Sequence, residues 1–304
     1  MTAFSPPTRS PGDSILLPLL LLLLGSMWGA SFSISKVAIQ GGIPELGYAA
    51  WQAGGSAAIL IVILQLLRTP LPRGLRPWGF CAVAGVLGIT LPNVLFYFVI
   101  RHIPAGLMAV VVTTAPILTY SLALAFAMER LSAVRAIGIG LGFVGALVIV
   151  LPSRSLPEDV DLFWVLLAFL TPSCYALSNL FAGRFRPPGQ SSLALACGML
   201  ICAGSVQTAL MLLFIPVWLP LPPYGLPELA LLGQILISAF AYIIYFHIVQ
   251  AAGAVYFSQV GYIVTVTGLL WGMAVFGERH SHWIYAGTAL ILLGFTLVNV
   301  RRRT

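Results

Sequence analysis

The sequence is poor in charged residues, which make up 8% of its 304 positions. Soluble globular domains carry about 25% charged residues, because their surface must be hydrated. With 60% hydrophobic residues, this chain cannot cover an apolar core with a polar surface. The composition therefore excludes an ordinary soluble domain and predicts an integral membrane protein.

Cysteines and catalytic motifs are also scarce. The four cysteines lie inside apolar runs without metal-ligand spacing, so we expect packing residues rather than a metal site or disulfides. The sequence contains no Gly-x-Ser-x-Gly or His-Glu-x-x-His pattern, and no Asp or Glu lies in the middle of an apolar run. We therefore expect no enzyme, no cofactor and no carboxylate proton relay of the usual kind.

The net charge of +7 would suggest a nucleic-acid partner in a soluble protein. Here the Lys and Arg residues lie between apolar runs, where they orient the chain in a bilayer. If the N-terminus is cytoplasmic, eleven of the 15 positive residues face the cytoplasm. The count predicts a multi-pass protein of the cell membrane with both termini cytoplasmic and no nucleic-acid partner. The four positive residues expected outside are Lys36, Arg101, Arg154 and Arg279.

The chain carries one pattern twice, at an offset of 149 positions. In each copy about twenty apolar residues precede a Glu-Arg pair, and a glycine-spaced apolar run follows. This agreement indicates an internal duplication. The matching pairs are Glu129 with Glu278, Arg130 with Arg279, Gly138 with Gly287, and Gly145 with Gly294.

Charge-free runs in the first half predict five membrane helices. The second half gives four runs, but the run 229–277 is too long for one span of about twenty residues, so we predict a break at 251–254. Two repeats with five helices each would be inverted relative to one another. A cleaved signal peptide is the alternative for 14–35, although that run continues to Lys36 without a cleavage pattern. The predicted organisation is a disordered tail at 1–13, a first repeat at 14–151, a polar connection at 152–161, a second repeat at 162–300 and a cytoplasmic tail at 301–304.

The chain carries Trp28-Gly29-Ala30-Ser31-Phe32 with Lys36 after it, Ala115-Pro116 and both Glu-Arg corners. Through these motifs the sequence resembles the EamA family of the drug/metabolite transporter superfamily. The resemblance covers nearly the whole chain. It implies an all-α membrane fold of ten helices in two inverted five-helix repeats. It also implies transport of small metabolites, often amino acids, amines or drug-like compounds, and frequently outward. The second repeat departs from the pattern at Thr265, which stands in the place of Pro116.

In transporters built from inverted repeats the substrate site lies near the membrane midplane, between the repeats. Polar and aromatic side chains inside the spans are candidates, because a wet cavity removes the cost of burying them. Hydroxyl groups inside membrane helices also commonly bond their own backbone, which is the alternative for each Ser and Thr. The third and eighth helices offer Asn93, Phe96, Tyr97, Ser238, Tyr242 and Tyr245. The resemblance adds Trp28, Ser31, Thr113, Thr114, Ser173, Tyr175 and Tyr262.

Two ionisable residues are candidates for coupling to protons or substrate. His247 lies inside an apolar run and titrates near neutral pH. Lys36 ends the first helix, where it either meets a substrate carboxylate or, as we favour, extends to the membrane interface. The corners Glu129-Arg130 and Glu278-Arg279 are expected to form structural pairs or to cap the helices that follow them.

The sequence therefore predicts a secondary transporter, an exporter or exchanger, that works by alternating access. The candidate site contains no carboxylate, and a phosphate ester would find little fixed positive charge there. We expect small neutral or zwitterionic substrates such as amino acids or amines. The alternative is a non-transporting scaffold or receptor on the same fold. The expected partners are the substrate and the lipid bilayer, and the sequence leaves the oligomeric state open.

Overall fold

The computed structural model describes residues 13–112, 114–126, 133–150, 161–257 and 260–299. These residues form thirteen α-helices and one short π-helix, and no strand occurs among them. Helices satisfy their own backbone hydrogen bonds, which is a requirement for any segment that crosses the hydrocarbon core of a membrane. The observed fold class is therefore all-helical, as predicted.

The first half contains seven α-helices, because two of the five predicted spans are interrupted. A π-helix at Val86–Thr90 divides the third span just before Pro92, which lacks an N–H and crowds the preceding turn. The fourth span is divided before Pro116, which lies in the first turn of its second part. The helices are α1 Asp13–Gln40, α2 Glu45–Leu66, α3 Leu75–Gly85, α4 Leu91–Val99, α5 Ala105–Val112, α6 Ala115–Ala125 and α7 Ala133–Val150.

The second half contains one correction to the predicted organisation. The break predicted at 251–254 is wrong, because a single helix runs from Leu226 to Phe257. Three of those four residues are alanines, which favour helix continuation more than one glycine opposes it. The helices are α8 Leu162–Ala168, α9 Leu170–Phe185, α10 Ser192–Phe214, α11 Leu226–Phe257, α12 Val260–Phe276 and α13 His282–Asn299.

Seven described segments are long and apolar enough to cross a membrane. Three further apolar helices are shorter, at Ala136–Gly145, Ile263–Phe276 and His282–Gly294. Large apolar side chains within these segments, such as Leu19 and Leu232, are exposed, as expected where a bilayer would cover them. The protein is therefore a multi-pass membrane protein, and the count of ten spans stays a prediction.

Glycines set the close contact between α7 and α13. A side chain on Gly145 would lie 2.7 Å from the carbonyl oxygen of Gly287, and one on Gly294 would collide with the carbonyl oxygen of Gly138. The offset of 149 relates the two contacts to each other, because Gly145 corresponds to Gly294 and Gly138 corresponds to Gly287. The absence of a side chain at these glycines therefore permits the close packing of α7 and α13.

Candidate functional site

A network of buried amide and hydroxyl groups joins helices from both halves of the chain. Gln52 on α2 lies at its centre and is 2% exposed. Its Nε2 donates to Ser238 Oγ on α11 at 2.6 Å, and its Oε1 accepts from Asn93 Nδ2 at 3.2 Å and Tyr97 OH at 3.3 Å on α4. Gln234 Nε2 also donates to Ser238 Oγ, at 3.3 Å. We call these five residues the Gln52 cluster.

The Gln52 cluster retains unused hydrogen-bonding capacity. Gln234 is buried, and within the described part of the chain its Oε1 has no hydrogen-bond partner. A buried polar atom without a partner costs free energy, so such an atom in a native protein calls for an explanation. A ligand that donates a hydrogen bond to Gln234 Oε1 would remove that cost.

Aromatic rings continue the site along α1 and α11. Tyr242 lies one helical turn from Ser238, and its ring centroid is 6.4 Å from that of Tyr245. Tyr245 in turn lies 6.2 Å from Trp28 and 4.6 Å from Phe257. These rings offer faces that hold apolar groups or attract an ammonium ion.

The remaining predicted aromatic residues of the described structure lie close to Tyr97 of the Gln52 cluster. Phe96 neighbours Tyr97, with ring centroids 5.2 Å apart, and contacts Phe32 on α1 at 5.5 Å. Tyr175 on α9 lies near Tyr97 and Tyr242. The structure thus brings together Trp28, Asn93, Phe96, Tyr97, Tyr175, Ser238 and Tyr242 from the predicted set.

Three predicted hydroxyl residues instead donate to backbone carbonyl groups three or four residues earlier in the chain. Ser31 Oγ donates to Met27 O, Thr114 Oγ1 to Val111 O, and Ser173 Oγ to Phe169 O. Ser173 also lines a separate apolar cavity of about 400 Å³ between α4, α9 and α10. Thr113 and the side chain of Tyr262 lie outside the described part of the structure.

Of the two predicted coupling residues, His247 is exposed on α11. Lys36 is 9% exposed, so the expectation that it extends to the membrane interface is wrong. Its Nζ donates to Ile103 O at 3.0 Å and lies 3.4 Å from Glu278 Oε1 and 5.1 Å from the Phe276 ring. The ammonium is held inside the protein because a carbonyl, a carboxylate and an aromatic face replace its hydration.

Glu278 caps a helix, but not the one that the sequence suggested. Its Oε1 accepts from Ala105 N at 2.7 Å and its Oε2 from Gly106 N at 3.0 Å, at the start of α5. A carboxylate at a helix N-terminus satisfies free N–H groups and complements the helix dipole. The corner therefore ties the second half to the first, rather than capping α13. Arg279 is exposed, and Glu129 and Arg130 lie outside the described residues.

Sequence reasoning missed Gln52, Gln234 and His280. A glutamine inside an apolar run satisfies the same criterion that selected Asn93, so Gln52 and Gln234 carried a usable signal. The burial of His280 depends on contacts between distant segments and has no local signal. Among the described residues, no group of three His, Cys, Asp or Glu side chains could hold a metal ion.

Comparisons with known proteins agree on one class. Residues 16–151 match the profile of the EamA-like transporter family. The uncharacterized transporter YyaM of Bacillus subtilis is 24% identical over 91% of both chains, and one from Archaeoglobus fulgidus is 24% identical over 94% of this chain and 99% of its own. YvbV of B. subtilis, another uncharacterized transporter, is 30% identical over 54% of this chain and 52% of its own.

A solved structure described as "Crystal structure of protein" shares the fold. It has a TM-score of 0.65 and 17% sequence identity, and the match covers 95% of this chain and 96% of that one. This likeness extends across both halves of the molecule. It supports the architecture and carries no information about the substrate.

Proposed function

We propose that this chain, whose residues 16–151 match the EamA-like transporter family, belongs to that family and is a secondary transporter for small neutral or zwitterionic metabolites. Amino acids and amines are the proposed classes, and export or exchange is the proposed direction. The family and the relatives support a membrane transporter, and the substrate class is what this proposal adds.

The position of the Gln52 cluster carries the proposal. Its hydrogen bonds connect α2 and α4 of the first half to α11 of the second. Gln52 lies about 10 Å along α2 from its first residue, at 1.5 Å per residue, and is therefore well inside the span. A substrate that replaces these hydrogen bonds would alter the contact between the halves, which is what alternating access requires.

The packing also supports inverted repeats. The reciprocal glycine contacts of α7 and α13 are those expected from a twofold relation between the copies. The end of α1 at Lys36 meets the start of α5 and the end of α12, so these termini share one end of the bundle. We propose that this end, called the Lys36 end below, faces outward and that both chain termini are cytoplasmic.

The chemistry of the cluster favours uncharged or zwitterionic substrates. Its five residues offer amides and hydroxyls but no full charge. A phosphate ester would lose its hydration without a compensating cation, which is unfavourable. An ammonium group gains about 0.5 to 2 kcal/mol against the nearby aromatic faces, and Gln234 Oε1 can accept one of its hydrogen bonds.

The experiment is substrate competition in proteoliposomes. Uptake of a radiolabelled amino-acid mixture is measured by counterflow against unlabelled amino acids, amines and sugar phosphates, in the wild type, Gln52→Ala and Asn93→Ala. Ser205→Ala is the matched control, because the Ser205 hydroxyl is exposed and donates to Ile201 O of the same helix. We expect competition by amino acids or amines, and a loss of uptake in the two cluster variants.

Three outcomes would contradict the proposal. Preferential competition by sugar phosphates would show that the substrate class is wrong. Unchanged uptake in both cluster variants would show that the Gln52 cluster does not bind substrate. Absence of any uptake and of any ligand-induced thermal shift would favour the alternative, a non-transporting scaffold or receptor.

A further inference from the structure

His280 is a buried histidine in the connection between α12 and α13. Its side chain is 1% exposed, and within the described structure neither ring nitrogen has a hydrogen-bond partner. The ring Nε2 lies 3.6 Å from Glu278 Oε2, close to the carboxylate but beyond hydrogen-bonding distance. A buried imidazole in this condition is unfavourable, unless a second arrangement of the protein gives it a partner.

Two glycines leave the space that His280 and Glu278 occupy. A side chain on Gly106 of α5 would lie 2.6 Å from His280 Nε2. A side chain on Gly272 of α12 would collide with the Glu278 carboxylate. The helices α1, α5 and α12 therefore enclose Lys36, Glu278 and His280. We call these three residues the Lys36–Glu278–His280 cluster.

The charges in this cluster balance while His280 is neutral. Lys36 contributes one positive charge and Glu278 one negative charge, at 3.4 Å. Burial lowers the pKa of His280, and the Glu278 carboxylate offsets part of that effect. Among the described residues, His280 also faces the titratable Tyr285 on α13, at 6.2 Å between ring centroids. A proton on His280 would place a second cation beside one carboxylate and the positive end of α5.

We propose that His280 is a proton-binding site that takes up a proton when Lys36 separates from Glu278. The proton comes from solvent at the Lys36 end, adds to a ring nitrogen and produces an imidazolium that replaces Lys36 beside the carboxylate. When Lys36 returns, the proton leaves to solvent. The arrangement in which Lys36 is separated from Glu278 thus binds the proton more tightly. By linkage, a lower pH shifts the equilibrium toward that arrangement. The inference rests on the proposed transport function, because it makes opening of the Lys36 end depend on pH.

The test reports the opening of the Lys36 end and needs no substrate. The four native cysteines are replaced by serine, and Ser35→Cys serves as the reporter, because Ser35 is fully buried on α1 one residue before Lys36. Gln40→Cys, exposed at the end of the same helix, corrects for the intrinsic pH dependence of the thiol. The ratio of their maleimide labelling rates in proteoliposomes is measured at about pH 5.5 and about pH 8, the range in which histidine titrates.

We expect the ratio to rise on acidification, by up to about tenfold for a pKa difference of one unit between the two arrangements. His280→Gln and His280→Asn are expected to abolish the rise. His282→Gln, which alters an exposed histidine two residues later, is the matched control and is expected to retain it. A flat ratio in the wild type, a rise that persists in a folded His280 variant, or a loss of the rise in His282→Gln would each overturn the proposal. Substrate counterflow without this pH effect would leave the proposed function intact, whereas absence of counterflow would contradict the proposed function alone.

Discussion

Replacement of Glu278 by glutamine tests whether this corner joins the two halves of the protein. The wild-type carboxylate accepts N–H bonds of 2.7 Å from Ala105 and 3.0 Å from Gly106, and neutralises Lys36. In Glu278→Gln one carboxylate oxygen becomes an NH₂ group that cannot accept, and Lys36 stays buried without its counter-ion. Breaking a buried ion pair by removing one charge costs roughly 3 to 5 kcal/mol. We expect about 3 kcal/mol, because the remaining oxygen keeps one backbone bond.

The assay is thermal unfolding of the purified protein. A loss of about 3 kcal/mol corresponds to a melting temperature lower by roughly 5 °C for a chain of this length. Glu228→Gln is the matched control, because Glu228 accepts one N–H bond from Gly225 at the exposed start of α11. The control is expected to cost about 1 kcal/mol or less.

A double variant separates the ion pair from other effects of the substitution. Lys36→Met combined with Glu278→Gln removes the unpaired buried charge, so its loss of stability is expected to be smaller than the sum of the two single losses by about 1 kcal/mol or more. Equal melting temperatures for Glu278→Gln and Glu228→Gln, or strict additivity in the double variant, would refute the reasoning.

Three further predictions concern packing, burial and topology. Gly294→Leu places a side chain against the α7 backbone and is expected to reduce the yield of folded protein severely. Gly233→Leu, at an open position on α11, is expected to be tolerated, so equal yields of the two variants by size-exclusion chromatography would contradict this prediction. Gln207 is fully buried with no partner for either amide atom in the described structure, so Gln207→Met is expected to leave the melting temperature unchanged or raise it, and a clear decrease would show that the amide is used. Cysteines at Arg73 and Glu158 are expected to react with impermeant reagent from opposite sides of the membrane, and labelling from one side would reject the inverted topology.

The sequence predicted the helical fold and pointed to several residues of the Gln52 cluster because both depend on local pattern. Apolar runs of about twenty residues are a strong signal for membrane helices. Asn93 and Tyr97 could be selected because polar groups are rare inside such runs. The break at 251–254 was predicted incorrectly, because the length of a run shows that a connection exists but does not give its position.

The contacts of Lys36, Glu278 and His280 were beyond local reasoning. Glu278 caps α5, whose first residues are 173 and 172 positions away along the chain. Lys36 is buried because Glu278 and Ile103 O meet it there, and neither contact is visible in the residues around Lys36. Such pairings follow from the packing of distant helices, and the sequence pattern of one helix does not specify them.

The most direct test of the transport function is counterflow in proteoliposomes that contain the purified wild-type protein. Vesicles loaded with an unlabelled amino-acid mixture are diluted into a trace of the radiolabelled mixture, with protein-free vesicles as the control. A transporter with the proposed substrate class is predicted to accumulate label transiently above the control, and Gln52→Ala is predicted to lose that accumulation. Accumulation in the wild type no greater than in protein-free vesicles would contradict the account.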